Sequence, residues 1–240
     1  MAGWGFEILR SAEVADTSLV LRRYLDHCKF ESLLQTQSLY FSPASHFSDE
    51  VEGYYTHRDY EHWERELVRS GFDELALSHA RQAKVSLARW NRRAVLVSCW
   101  TNGRFEDARM WREYAQGSEA VAIETTVGHL RRILGPYFLI VPVTYLDYTE
   151  WSIPKTHSLQ PYFCKQDRYA WEREVRIIGE MEVGKRIETP RLVRVDLPVL
   201  LRRVIISPYA SSDYAEAVAL MLREASIGAE VNPSSLRNAA

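Results

Sequence analysis

Runs of alternating and helically spaced apolar residues divide the chain into short elements. Residues 18–24 (Ser-Leu-Val-Leu-Arg-Arg-Tyr) alternate as a strand. Phe30, Leu33 and Leu34 follow at helical spacing, and residues 38–42 (Ser-Leu-Tyr-Phe-Ser) form a second strand that ends at Pro43. Residues 54–93 are charged and carry one glycine and no proline. They read as two helices broken near Ser70-Gly71, an inserted helical hairpin. Strands are expected at 94–100, 120–124, 137–145, 174–178, 191–196 and 204–207. Met110, Trp111 and Tyr114 mark a short helix stopped by Gly117, and Val127, Leu130 and Leu134 share one helical face closed by Gly135-Pro136. Residues 150–165 read as loop. Asp213 with Glu216 resembles a capping box for a helix that places Val218, Met221, Leu222 and Ala225 on one face, with Gly228 as its C-terminal cap. The pattern predicts a single α+β domain over 1–240, a mixed central sheet with flanking helices and a helical insertion at about 54–93.

Composition narrows the class without naming a function. With 46% hydrophobic and 26% charged residues in 240, the chain is neither disordered nor low in complexity. Lys plus Arg is 30 against 32 for Asp plus Glu, a net charge of −2, so bulk charge does not select a nucleic-acid partner. No run approaches the about 18 apolar residues of a membrane span. Residues 1–10 carry no leading basic cluster and no apolar run, which argues against a secretory signal. The expected location is the cytoplasm, with no membrane partner. Cys28, Cys99 and Cys164 are odd in number and far apart, so reduced and mostly buried thiols are expected.

The candidate chemistry is carried by acids and bases. In residues 165–176 (Lys-Gln-Asp-Arg-Tyr-Ala-Trp-Glu-Arg-Glu-Val-Arg), strand alternation puts Glu172, Glu174 and Arg176 on one face and Val175 and Ile177 on the other. Two carboxylates about 6.5–7 Å apart along a strand raise each other's pKa unless a cation intervenes. The plainer alternative is an ion-paired strand end. Asp49, Glu50 and Glu52 form an acidic loop between Pro43 and Gly53, either functional or simply solvated. Of Arg22 and Arg23, adjacent on the first strand, one must face inward and needs a carboxylate or phosphate. His57 and His62 point to different helix faces and make no two-histidine metal site. Arg81, Lys84, Arg89, Arg92 and Arg93 stripe the second insertion helix, as a phosphate-meeting or a solvated face. No Gly-rich phosphate loop, nucleophile elbow or dinucleotide fingerprint is present.

The ordered set Leu21-Arg22-Arg23-Tyr24, Leu39-Tyr40-Phe41-Ser42-Pro43, Phe47-Ser48-Asp49, Glu52-Gly53, Val97-Ser98-Cys99-Trp100, Met110-Trp111, Tyr114-Ala115, Lys165 and Trp171-Glu172-x-Glu174-x-Arg176 resembles a broad prokaryotic family. That family is catalogued as a domain of unknown function and often met near phage-defence genes. Its members usually read Asn-Asp-Pro where this chain has Ser48-Asp49-Glu50. More distantly, the order of elements is similar to the ADP-ribosyltransferase superfamily. That resemblance implies an NAD-consuming transferase or glycohydrolase, a toxin or defence effector, with NAD as co-substrate and no metal. It implies Glu174 and Glu172 as catalytic carboxylates, and Arg23 as the strand-one anchor of NAD. It further implies Tyr24, Tyr40, Phe41, Ser98 and Arg176 as NAD contacts, and Asp49, Glu52 and Lys165 as substrate contacts. The acceptor, protein or nucleic acid, stays open, as does a neutralising partner protein. Two other classes compete: a metal-dependent nuclease or phosphoesterase gathering Asp49, Glu52, Glu172 and Glu174 around Mg²⁺ near Lys165, and a non-catalytic sensor or partner-binding module built on an ion-pair network.

Overall fold

A computed structural model describes residues 11–153, 159–179 and 189–238. The predicted features of residues 1–10 lie outside the described residues, as does part of the 150–165 segment. The elements in chain order are β1 (Val20–Asp26), α1 (His27–Thr36), β2 (Ser38–Pro43), α2 (His57–Arg69), α3 (Glu74–Ala94), β3 (Leu96–Asn102), α4 (Ala108–Tyr114), β4 (Ala120–Thr126), α5 (Val127–Leu134), β5 (Phe138–Pro142), β6 (Thr144–Leu146), β7 (Cys164–Gln166), β8 (Glu174–Gly179), β9 (Arg191–Arg194), α6 (Leu197–Leu200), β10 (Arg203–Ile206), α7 (Tyr214–Glu224) and β11 (Glu230–Pro233).

Nine strands form one mixed sheet, in the order β11-β10-β4-β1-β3-β2-β9, with β8 on the other edge of β3 and β5 beyond it. Antiparallel pairing dominates; β10 and β11 run parallel. Three clusters cover the sheet. The largest packs Leu21, Leu25, Leu39, Phe41, Trp100, Ile123, Val175 and Ile177 against α1, α5, α6 and α7. On the opposite face, Val97, Val141 and Ile178 meet Tyr162 and Phe163. Further along it, Tyr24 packs edge-on against Trp111 of α4, ring centroids 4.8 Å apart. Val175 and Ile177 thus point into the main core as their alternation requires, and Glu174 and Arg176 point away from it.

One irregularity matters for function. Along one edge β3 is held at both ends by different strands. Thr101 and Asn102 pair with Arg22 and Leu21 of β1, while Leu96 and Val97 pair with Pro43 and Ser42 of β2. Between them, over 98–100, β1 and β2 diverge and the sheet forks. The opposite edge of β3 is paired with β8 from Val97 to Thr101.

The coarse α+β architecture and the hairpin match the expectation. α2 opens on a capping box at Thr56 and Asp59, Gly71 turns the chain at φ 86°, and Asp73 caps α3. Arg81 clamps the hairpin through Glu64 (2.9 and 3.0 Å) and Glu74 (3.0 Å), and the Lys84 ammonium lies 4.0 Å from the Trp63 ring centroid. These two members of the basic stripe are consumed inside the hairpin.

Several local expectations are corrected. The single strand at 137–145 is two: β5 stays with β8 as far as Pro142, opposite Val175, with Val143 N still bonded to Glu174 O, and β6 then leaves to pair in parallel with β7. The segment at 150–165 is not all loop, since a 3-10 turn (Gln160–Phe163) leads into β7. Asp213 does not cap α7; it sits in a helical conformation and its carboxylate takes the Ser212 hydroxyl at 2.9 Å. The left-handed residue after that helix is Ser226 (φ 57°), not Gly228. Cys28 and Cys99 are exposed and only Cys164 is buried.

Candidate active site

The Glu-x-Glu pair is not built as strand alternation predicts. Glu172 ends a 3-10 turn (Asp167–Glu172), Arg173 adopts a left-handed conformation (φ 46°), and β8 begins only at Glu174. A non-glycine residue in that region costs about 1–2 kcal/mol. The kink is held from β3: the Thr101 hydroxyl donates to Glu172 O (2.5 Å) and Asn102 N to Arg173 O (3.0 Å). It folds Glu172 back over Lys165.

Lys165 therefore sits between the two acids. Its Nζ lies 2.6 Å from Glu172 Oε2 and 3.3 Å from Glu174 Oε2. The Tyr114 hydroxyl donates to Glu172 Oε1 at 2.9 Å. Arg176 binds Glu174 through Nε (2.8 Å) and Nη2 (3.0 Å), donates Nη1 to Tyr162 O (2.8 Å), and pairs with Glu52. Phe47 lies over that guanidinium, 5.1 Å from ring centroid to Cζ. Arg176, Glu174, Glu172, Glu52 and Lys165 are all buried. Glu52 is aimed by Gly53, whose φ of +82° suits glycine and whose Cβ position lies 2.7 Å from Tyr162 Cε1.

Backbone contacts fix Glu174 from behind. Its N–H donates to the Tyr145 hydroxyl (2.7 Å) and its carbonyl accepts from Val143 N (3.0 Å). The β6–β7 ladder sets Tyr145 directly beside Lys165.

Burial pushes the Glu174 carboxyl up from its usual value, with the Lys165 ammonium opposing part of that shift. Burial disfavours the charge on Lys165, but the carboxylates of Glu174 and Glu172 outweigh it and the ammonium is held more strongly than usual. The Cys99 thiol, in register with Arg176, opens onto the cleft yet is closely surrounded by protein; that desolvation, and then Glu174, push it well up.

These groups line one cleft of about 370 Å³. Glu52, Glu172, Glu174, Lys165, Arg176, Cys99 and Tyr114 line it together with Arg22, Arg23, Tyr24 and Lys29 of the first strand and helix. Arg22 is the arginine with a protein anion: it binds Glu124 across the β1–β4 ladder at 2.5 Å. Arg23 occupies the fork in the sheet. It donates to Ser98 Oγ (2.7 Å) and to Tyr40 O (3.3 and 3.2 Å), and no carboxylate lies within 4.0 Å among the described residues. Trp100 Nε1 donates to the same Ser98 hydroxyl at 3.2 Å.

The other expected residues separate. Phe41 is fully buried, packed on Phe138 with centroids 5.3 Å apart, so its ring has no free face for a ligand. Tyr40 is exposed on the far side of Arg23. Asp49 is buried away from the acid pair, taking Gln166 Nε2 (2.9 Å) and Val51 N (3.1 Å). Among the described residues, no group of three or more His, Cys, Asp or Glu side chains is gathered as for a metal ion. No helix among them is long and apolar enough to cross a membrane. Tyr145 was not anticipated, and no local pattern marks it. Comparison with protein-family models, with curated proteins and with solved structures finds no match for this chain.

Proposed function

We propose that the chain cleaves the N-glycosidic bond of NAD, as an ADP-ribosyltransferase or NAD glycohydrolase. The observation that carries this reading is the shared cleft. A buried acid pair bridged by Lys165 shares one cleft with an arginine that lacks a protein anion, and the two come from parts of the chain about 150 residues apart.

Breaking that bond builds positive charge on the ribose. A carboxylate accepting from the ribose 2′-hydroxyl stabilises the oxocarbenium-like state more than the ground state. Glu174 fits this role. Three of its about four lone-pair sites are taken by Arg176 and Lys165, and the fourth is turned to the Cys99 thiol, a weak donor that a ribose hydroxyl would displace. Glu172 has spare acceptor capacity beside Tyr114 and is suited to take the proton of an incoming water or acceptor nucleophile. Arg23 suits the pyrophosphate, since a guanidinium fork matches phosphate oxygens.

The test is NAD turnover and nicotinamide release by purified protein, with Glu174→Gln beside it. The expected loss is about 10²–10³ in kcat, or about 3–4 kcal/mol, with no effect of chelator. Equal turnover in the two proteins removes Glu174 from the chemistry. Activity abolished by chelator turns the reading towards metal-dependent phosphoester cleavage.

A further inference from the structure

The fork has a second mouth. Beyond Arg23, between α1 and β2, lies a chamber of about 440 Å³. Leu33, Leu39 and Ile123 form its apolar floor, and Tyr40 and Leu192, both exposed, stand at its rim. Arg23, Leu25 and Lys29 line both this chamber and the acidic cleft, so the two cavities adjoin at Arg23.

We propose that this junction binds a nucleoside diphosphate group, its phosphates on Arg23 and its base in the chamber behind it. The polarity of the assignment rests on the NAD reading, which puts the glycosidic bond on the acidic side; the binding site itself does not require turnover. Three observations support it. First, Arg23 is a partly buried guanidinium whose polar contacts are all neutral, and its Nε–H has no acceptor among the described residues. Arg22, Lys29, Lys165 and Arg176 in the same cleft are each paired with a carboxylate, Lys29 with Asp26 at 2.5 Å. A cation drawn from water without a counter-charge is costly, and an anion bound there relieves that cost. Second, the acids of the cleft repel phosphates, which favours an anionic group at Arg23, the cation without a carboxylate partner. Third, the chamber offers what a planar base needs: an aliphatic floor, an exposed tyrosine ring to stack on, and a volume in the range of small-molecule sites. The Ser32 and Ser38 hydroxyls at its wall supply polar contacts without charge.

The experiment is calorimetric titration of the full chain with ADP, adenosine and inorganic pyrophosphate. ADP is expected to bind more tightly than either fragment. Arg23→Met is expected to weaken ADP and pyrophosphate together. Tyr40→Ala, which leaves the backbone carbonyl under Arg23 in place, is expected to weaken ADP about tenfold and leave pyrophosphate unchanged. Ser32→Trp, on an exposed turn of α1 and filling the chamber, is expected to do the same. Pyrophosphate binding as tightly as ADP, or ADP binding indifferent to Tyr40→Ala and Ser32→Trp, overturns the proposal, as does the absence of ADP binding. ADP binding with these sensitivities but without NAD turnover sinks the glycohydrolase reading alone. NAD turnover with a KM unmoved by both chamber variants sinks the chamber alone.

Discussion

Lys165 decides how the acid pair behaves. Burial favours a proton on Glu174, and the ammonium beside it keeps that carboxyl from rising further. The sign follows from the direction of the shift. A raised carboxyl is protonated over a wider acidic range, so a reaction that needs its anion fails as pH falls through a value above the ordinary 4.5. The kcat profile should show that acid limb. Lys165→Met should move it to still higher pH and lower kcat at neutral pH, whereas a purely structural lysine would lower kcat without moving the limb. Much of this cluster is legible in the sequence. Glu174 and Arg176 follow strand alternation, and Lys165 and Glu52 stand near them in acidic or basic company. The reversal at Arg173 is not legible, because nothing in Trp-Glu-Arg-Glu-Val-Arg marks a left-handed residue; the constraint comes from Thr101 and Asn102 on another strand. Phe41 misleads for a related reason. Strand alternation puts it on the same face as Leu39, and only the packed sheet shows that this face is core.

At the scale of elements, β3 organises the site. It aligns β8 along one edge and anchors β1 and β2 at opposite ends of the other, so Arg23 fills a gap that continuous pairing would close. The strands themselves are readable from their apolar runs. Their pairing is not, since β1 meets β3 across more than 70 residues and the hairpin intervenes. That hairpin is tied to the body at identifiable points. Arg92 donates to Glu50 O (3.1 Å) and lies over the Tyr54 ring. Buried Asp59 accepts from Thr56 N (3.0 Å), the Thr56 hydroxyl (2.8 Å) and Ile153 N (3.0 Å). Asp59→Ala should leave buried donors unpaired and cost about 1–3 kcal/mol, read as a lower midpoint in urea unfolding. Asp59→Asn, which keeps one acceptor oxygen, should recover part of it.

For the whole molecule, the fork does not divide the core. Leu21 and Leu25 of β1, Leu39 and Phe41 of β2, Trp100 of β3 and Val175 of β8 belong to one continuous apolar cluster that spans both arms. Unfolding should therefore be a single cooperative event, with calorimetric and van 't Hoff enthalpies equal in a heating scan and probes on either arm melting together. Two separated transitions would mean that the arms fold independently. Net charge contributes little at this scale: at −2 and a sequence pI near 6.4, attraction of the proposed diphosphate must come from the local field of Arg23, since Lys29 is paired with Asp26.

The two exposed cysteines happen to stand in different rooms of the molecule, Cys99 against the acid pair and Cys28 at the wall of the apolar chamber. Each is a natural handle for tethering small fragments by disulfide exchange. Single-cysteine versions of the protein would let the two rooms be surveyed separately, with the Cys99 handle engaged at alkaline pH because its thiolate forms reluctantly. The fragments each handle retains would then describe, piece by piece, what the joined cavities accept.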